Sequence, residues 1–485
     1  MSVAGASRPG MAAAPEGWSA RSLVPWLIPI AIGLAIWLIP PPVGVTQQAW
    51  RLFAIFVATI AGIIAKPLPM GGVAIIGIAM TAFTGVLTIG QALSGFGNSV
   101  IWLIVLAFMI ARGFIKTGLG ARIAYMFVAL LGKKTLGLSY GLIASDLVLA
   151  PAIPSNTARA GGVVFPILRS IAKAYGSEPD NGTAGKIGAF LTKTAYQGTN
   201  ITSAMFLTAM AANPLAVELA RAQGVNITWT GWAVAAIVPG LLSLIVIPMV
   251  LYRLYTPEIT HTPEAAQMAR DKTREMGGMK RNEWIMLGAF VALLVMWIFG
   301  TQLGIHTTTA ALMGLVILLV AGVLTWGDVK GEQGAWDTLV WFSALVMMAT
   351  FLNSLGLIPW FSQTVGGWLS GVDWAVAFLV LALVYYYAHY FFASNTAQVS
   401  AMYAAFLGIS IAAGAPPMLA ALVLAFFSSL FASLTNYATG PAPILFGAGY
   451  VPVATWWRLG FIVSLVHIVI WLVVGGAWWK VLGLW

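Results

Sequence analysis

Apolar runs of helix length follow one another along almost the whole chain, with polar clusters falling mainly between them. Such cores include Leu23–Leu38, Leu52–Ile64, Val73–Leu87, Val100–Ile115, Trp232–Leu251, Trp284–Phe299, Thr309–Thr325 and Phe461–Trp478. With their flanks most approach the roughly 18 residues needed to cross a hydrocarbon layer about 30 Å thick. The pattern predicts an all-α polytopic membrane protein with about eleven crossings, plus two segments too polar and broken to cross simply.

One long polar stretch interrupts the series. Residues 255–283 (YTPEITHTPEAAQMARDKTREMGGMKRNE) hold Arg270, Lys272, Arg274, Lys280 and Arg281 against Glu258, Glu264, Asp271, Glu275 and Glu283. This segment is expected to be a cytoplasmic connector between a first membrane repeat, 23–254, and a second, 284–485. Residues 1–22 are rich in small side chains and lack the contiguous apolar core of a signal peptide, so they are expected to be disordered.

Composition agrees with the pattern. Of 485 residues 60% are hydrophobic and 8% charged, too little charge to wet the surface of a soluble protein this large. The formal charge of +10 does not point to nucleic acid, because Lys and Arg are scattered at run ends and form no stripe. Juxtamembrane cations are the usual topology signal, and Trp26, Trp37, Trp50, Trp478 and Trp479 sit where interfacial belts form. The absence of Cys removes disulfides, thiolate nucleophiles and Cys-based metal sites.

The two halves repeat each other. GVLTIG begins at Gly85 and GVLTWG at Gly322, an offset of 322 − 85 = 237. The Gly-Leu pairs at Gly118 and Gly356 differ by 238, and Ser-Asn-Thr at Ser155 and Ser394 by 239. Gly198-Thr199 is answered by Ala438-Thr439 at 240. A given tripeptide arises by chance about once per 10⁴ positions, so the coincidence marks an internal duplication. An odd number of crossings per half would invert the repeats and an even number would leave them parallel; the runs alone leave this open.

The repeated triplet carries the chemistry. Ser, Asn and Thr are preferred helix N-caps, and one isolated copy would be read as a cap alone. Here it recurs at symmetric places, after an apolar arm, and each copy is followed by a second polar break. Those breaks are YQGTN (Tyr196–Asn200) and NYATGPAP (Asn436–Pro443). Paired breaks in two repeats are the best sequence pointer to a transporter's binding site near the midplane. Helix N-termini offer free N–H groups and a positive dipole end to an anion, and two such sites suit the two carboxylates of a dicarboxylate.

Fixed charges lie close by. Arg159 is four residues beyond Ser155, and Gln398 holds the equivalent place in the second copy. Lys193 is five residues before Gly198, and His389 five before Ser394. Charges within membrane segments usually face a pathway, whereas the bland reading of Lys193 and His389 is snorkelling or a satisfied core group. Asp146, in the arm before the first triplet, is expected to neutralise one of the cations, since an acid repels a carboxylate.

With SNTARAGG and QGTN in the first half, and SNTAQ and NYATGPAP in the second, the chain resembles the divalent-anion/sodium symporter family from about Trp50 onward. The resemblance implies two inverted repeats, eleven membrane helices, a re-entrant hairpin in each repeat, an elevator-type transport domain and a homodimer. It also implies that Ser155, Asn156, Thr157, Thr199, Ser394, Asn395, Thr396 and Thr439 hold the substrate. In sodium-coupled members the ion would be ligated at Asn156 with Gly198 and at Asn395 with Ala438. ARAGG and the Gly-Pro after Thr439 are similar to the branch of bacterial citrate or tartrate:succinate antiporters and plastid 2-oxoglutarate/malate translocators.

The expectation is therefore a secondary transporter of the bacterial cytoplasmic (inner) membrane. It would exchange di- or tricarboxylates (succinate, malate, 2-oxoglutarate, tartrate or citrate), with Arg159, Lys193 and His389 in place of sodium and no metal or other cofactor. The alternative is a sodium-coupled symporter on the same fold. An intramembrane enzyme is disfavoured by the lack of Cys and of a His-Glu-x-x-His string. A channel fits a duplicated anion site with cations at its rim less well than a carrier does.

Overall fold

The computed structural model describes residues 20–368 and 371–485. Residues 1–19, most of the stretch expected to be disordered, lie outside it, and a helix already begins at Ala20. Every regular element among the described residues is helical.

Short turns aside, the first half gives α1 (Ala20–Leu38), α2 (Gln47–Ala65), α3 (Met70–Phe83), α4 (Ser99–Thr117), α5 (Leu119–Leu131) and α6 (Thr135–Leu149). Next comes α7, which runs from Asn156–Arg159 through a π-turn at Ala160–Val164 into Phe165–Ala174. Then follow α8 (Gly188–Met205), α9 (Ala212–Arg221) and α10 (Trp229–Leu254). After α11 (Pro263–Glu275) the second half gives α12 (Arg281–Ile298), α13 (Thr307–Val320), α14 (Gln333–Ser354), α15 (Leu357–Trp368) and α16 (Trp374–Tyr387). Its α17 again has three parts, Asn395–Gln398, a π-turn at Val399–Tyr403 and Ala404–Ala412. Last are α18 (Pro417–Leu430), α19 (Pro441–Gly447) and α20, which runs from Val453–Val469 through a π-turn to Gly475–Val481.

The order α2 to α10 is answered element for element by α12 to α20. Even the π-turns in α7 and α17 fall five residues after Ser155 and Ser394, an extra-residue distortion often found at functional sites. Caps fix many starts: Thr46 for α2, Asn98 for α4, Thr228 for α10 and Asp373 for α16 each accept a backbone N–H of the first turn.

Among the described residues seven helices are long and apolar enough to cross a membrane. Large apolar side chains such as Phe83, Val320 and Val473 are exposed on the outside, as lipid contact allows. The inside is the polar part. All of α8 is buried, including Thr192, Lys193, Gln197, Thr199, Asn200 and Ser203. Trp479 departs from the interfacial expectation: it is buried, and its Nε1 donates to Ala235 O at 2.8 Å.

The helices form two groups. One packs α1, α2, α3, α4, α12, α13 and α14 together, and the other gathers α6 to α10 with α16 to α20. The polar connector is not a loose linker. Its α11 buries Ala265, Ala266 and Ala269 and packs on α5, while Arg122 Nε donates to Glu283 Oε1 at 2.6 Å.

Candidate functional site

Each Ser-Asn-Thr triplet stands at the tip of a helix hairpin, α6/α7 in the first half and α16/α17 in the second. The capping role is real: Ser155 Oγ accepts from Ala158 N at 3.1 Å, and Ser394 Oγ from Ala397 N at 3.4 Å. This leaves the N–H groups of the first two residues of each tip, Asn156 with Thr157 and Asn395 with Thr396, outside the helix ladder. Within each triplet Ser and Thr are half-buried, whereas Asn156 and Asn395 are buried. The asparagines brace the tips, and the serine and threonine faces stay open.

The breaks are in different places in the two halves. The second, between α18 and α19, spans the expected stretch around Ala438 and Thr439. The first does not lie at Tyr196–Asn200, because α8 runs unbroken through it. Gly198 is packed against Ile143, where a Cβ would sit 2.5 Å from Ile143 Cγ1, and its carbonyl lies inside a continuous helical ladder. The chain instead breaks between α8 and α9, where Phe206 and Met210 are extended on either side of a 3₁₀ turn, Leu207–Ala209. The counterpart of the second break is thus Phe206–Ala211, so Gly198 and Thr199 do not stand at a helix break. Thr199 is buried on α8 with its hydroxyl unpartnered.

Side chains take up the carbonyls that each break frees. At the first, Asn213 Nδ2 donates to Ser203 O at 2.7 Å and to Phe206 O at 2.9 Å. At the second, Tyr196 Oη donates to Ala432 O at 2.5 Å, Gln197 Nε2 to Ser433 O at 3.2 Å and Tyr386 Oη to Leu430 O at 2.8 Å. Irregular backbone at membrane depth requires such partners.

Tips and breaks are joined crosswise. Asn156 Nδ2 donates to Thr439 Oγ1 at 3.1 Å, which ties the first tip to the second break. Gly440 makes room for this, since a Cβ there would lie 2.0 Å from Thr157 Oγ1. The second tip lies by the first break at Met210, whose Sδ is 3.8 Å from Asn395 Nδ2; the same amide donates to Ser428 O on α18 of its own half at 2.8 Å.

The cations do the opposite and hold each hairpin to the break of its own half. Arg159 is fully buried, and its Nη1 donates to Ala209 O at 2.5 Å and to Ile153 O at 2.6 Å. Its Nη2 donates to Ser203 Oγ at 2.9 Å, and its Nε is paired with Asp146 Oδ1 at 3.1 Å. Asp146 also accepts from the Thr202 hydroxyl, so it neutralises a cation as expected. In the second half His389 Nε2 lies 3.1 Å from Ala438 O, and Nδ1 lies 2.6 Å from Gln398 Oε1. Gln398 Nε2 donates to Tyr385 O at 2.6 Å, which turns its oxygen toward the ring. Both imidazole nitrogens therefore face oxygen atoms, which holds the ring between its hairpin and the break of its own half.

Lys193 stands apart from both tips. It is fully buried, so it does not snorkel; its Nζ donates to Trp456 O at 3.0 Å and lies 4.1 Å from the Trp456 ring centroid. A Gly-x-Ser-x-Gly string, Gly137–Gly141, falls inside α6, where Ser139 Oγ donates to Leu136 O at 2.8 Å, with no strand-to-helix elbow.

Residues 20–485 match the family described as the sodium:sulfate symporter transmembrane region. The chain belongs to that family. It is 63% identical to the putative malate transporter YflS of Bacillus subtilis, over 96% of this chain and 98% of that protein. Identity is 51% with the chloroplastic dicarboxylate transporter 1 of Arabidopsis thaliana, covering 100% and 87%. It is 36% with the citrate/succinate antiporter of Escherichia coli, covering 95% and 98%. Among solved structures, the YdaH transporter of Alcanivorax borkumensis has the same fold at 14% identity, with a TM-score of 0.50 over 84% of this chain and 88% of that one. This family membership makes the chain a membrane transporter and not an enzyme.

Proposed function

We propose that the protein exchanges one di- or tricarboxylate for another across a bacterial cytoplasmic membrane without sodium. The observation that carries this reading is the use of the break carbonyls. In the resemblance Ala438 is a sodium ligand; here its oxygen accepts from His389, and Ala209 O, in the break of the first half, accepts from Arg159. Protein donors thus occupy both positions where a dissociable cation would be needed. Fixed donors cannot leave with the substrate, and with Arg159 already balanced by Asp146 it is the free N–H groups of the tips that an empty carrier would keep without a guest, which resists crossing. Obligatory exchange follows.

The substrate carboxylates would be held at the two tips by Ser155, Thr157, Ser394 and Thr396 and by the free N–H groups beside them, with Asn156, Asn395 and Thr439 bracing the frame. Names of the relatives (malate, dicarboxylate, citrate/succinate) agree with that chemistry.

Each half reads as five crossings: α2, α3, α4, the broken pair α8/α9 and α10, answered by α12, α13, α14, α18/α19 and α20. With α1 the total is eleven, and an odd number per half inverts the second repeat. The two helix groups then supply a fixed scaffold, the site of a homodimer contact, and a body that slides as an elevator. A thermal-shift screen of the purified protein tests the binding claim: small dicarboxylates should raise the melting temperature equally in sodium and in choline. Stabilisation that requires sodium would favour the symporter.

A further inference from the structure

We propose that the protein holds one acyl chain of an anionic phospholipid in a cavity of about 510 Å³ at the seam between the two helix groups. Phe53 of α2 and Leu352 of α14 form its wall on one side, and Leu219 of α9 and Ala404 of α17 on the other. The guest would therefore touch the second hairpin one turn behind its Ser-Asn-Thr tip.

The walls select the chemistry. Only three lining side chains carry a hydrogen-bonding group, and each is already used. Trp50 Nε1 donates to Ile36 O and Ile39 O, both at 2.9 Å; Trp360 Nε1 donates to Val43 O at 3.0 Å; Ser400 Oγ donates to Thr396 O at 2.7 Å. A polar guest would lose its water contacts and find no partner, and a trapped water needs two or more polar neighbours. Hydrocarbon gives up nothing on entry, and an empty space of this size would forfeit the dispersion contacts of its lining. The bilayer supplies hydrocarbon beside α2 and α14, and the partial exposure of Phe361 leaves the cavity open on that flank.

The mouth selects the headgroup. Trp50 and Trp360 both bond to residues at or just beyond the end of α1, and indoles held in this way mark headgroup depth. Arg51, next in sequence to Trp50, is exposed, stacks over Trp37 at 5.0 Å and makes no ion pair among the described residues. A free guanidinium at that level attracts a phosphodiester carrying net negative charge.

Native mass spectrometry of purified protein, equilibrated with equal phosphatidylglycerol and phosphatidylethanolamine, tests this. The wild type should retain one phosphatidylglycerol per protomer. Ala404→Phe and Leu219→Trp, which fill the cavity from different helices, should lower retention at least tenfold, and Arg51→Gln should erase the preference over phosphatidylethanolamine. Should either filler fail to fold, wild-type protein in bilayers of spin-labelled phosphatidylglycerol must still show an immobilised chain-end component. Unchanged retention in well-folded fillers, or the lack of that component, overturns the site; a preference that survives Arg51→Gln overturns the headgroup assignment.

Discussion

Asn156 and Thr439 lie 283 residues apart in the chain and 3.1 Å apart in space, so the tip of one repeat is braced on the helix break of the other. Asn395 Nδ2 donates to Ser428 O on α18 of its own half and meets the break of the other at Met210 Sδ, 3.8 Å away. A buried side-chain hydrogen bond of this kind contributes about 1–3 kcal/mol once loss of its partner is counted. Asn156→Ala and Asn395→Ala should therefore abolish exchange in proteoliposomes while leaving a folded protein with a modestly lower melting temperature. Wild-type exchange in either would remove the brace from the account.

The same contact depends on a missing side chain. Any Cβ at residue 440 would lie 2.0 Å from Thr157 Oγ1, so Gly440→Ala must push the first tip away from the second break. Exchange at least tenfold slower than wild type, with expression and size-exclusion profile retained, is the expected outcome.

Arg159 and Asp146 form a fully buried pair, and removing one member strands the other charge. Arg159→Met and Asp146→Leu should each destabilise the protein by about 3–5 kcal/mol, and the double variant by less than either. Exchange separates structure from function: the double variant should fold yet fail to transport, because Ala209 O loses its donor. Chemical denaturation and counterflow on the same preparations check both halves.

Two asparagines of the scaffold grip α9. Asn98 Nδ2 donates to Glu218 Oε2 at 2.6 Å, and Asn353 Nδ2 to Ala222 O at 2.5 Å. If α9 slides with the moving body, both contacts break in every cycle. The chain has no native Cys, so Ala222→Cys with Asn353→Cys places a clean pair of thiols on the two sides of this contact. Oxidation should stop exchange and reduction restore it; full activity in the cross-linked protein would exclude sliding at this seam.

The membrane class, the duplication and both tips were legible in the sequence because apolar runs and tripeptide repeats survive divergence in register. The first break was not. QGTN answered YATG at a tidy offset of 240, yet those residues sit inside α8, and the true break, Phe206–Ala211, is followed by Asn213-Pro214. The signal was present, since Pro214 mirrors Pro441, but that offset is 441 − 214 = 227. A longer α8 shifts the register, so a search at fixed spacing passes it by. The partners of Lys193 were equally hidden: Trp456 lies 263 residues away, and no local pattern announces an aromatic cage.

The central claim is that protein donors on Ala209 O and Ala438 O replace sodium and make exchange obligatory. Proteoliposomes loaded with succinate or left empty, given labelled succinate outside in sodium or in choline, test it in one experiment. The account predicts uptake only into loaded vesicles, at the same rate in both cations. Uptake into empty vesicles that requires external sodium would contradict it.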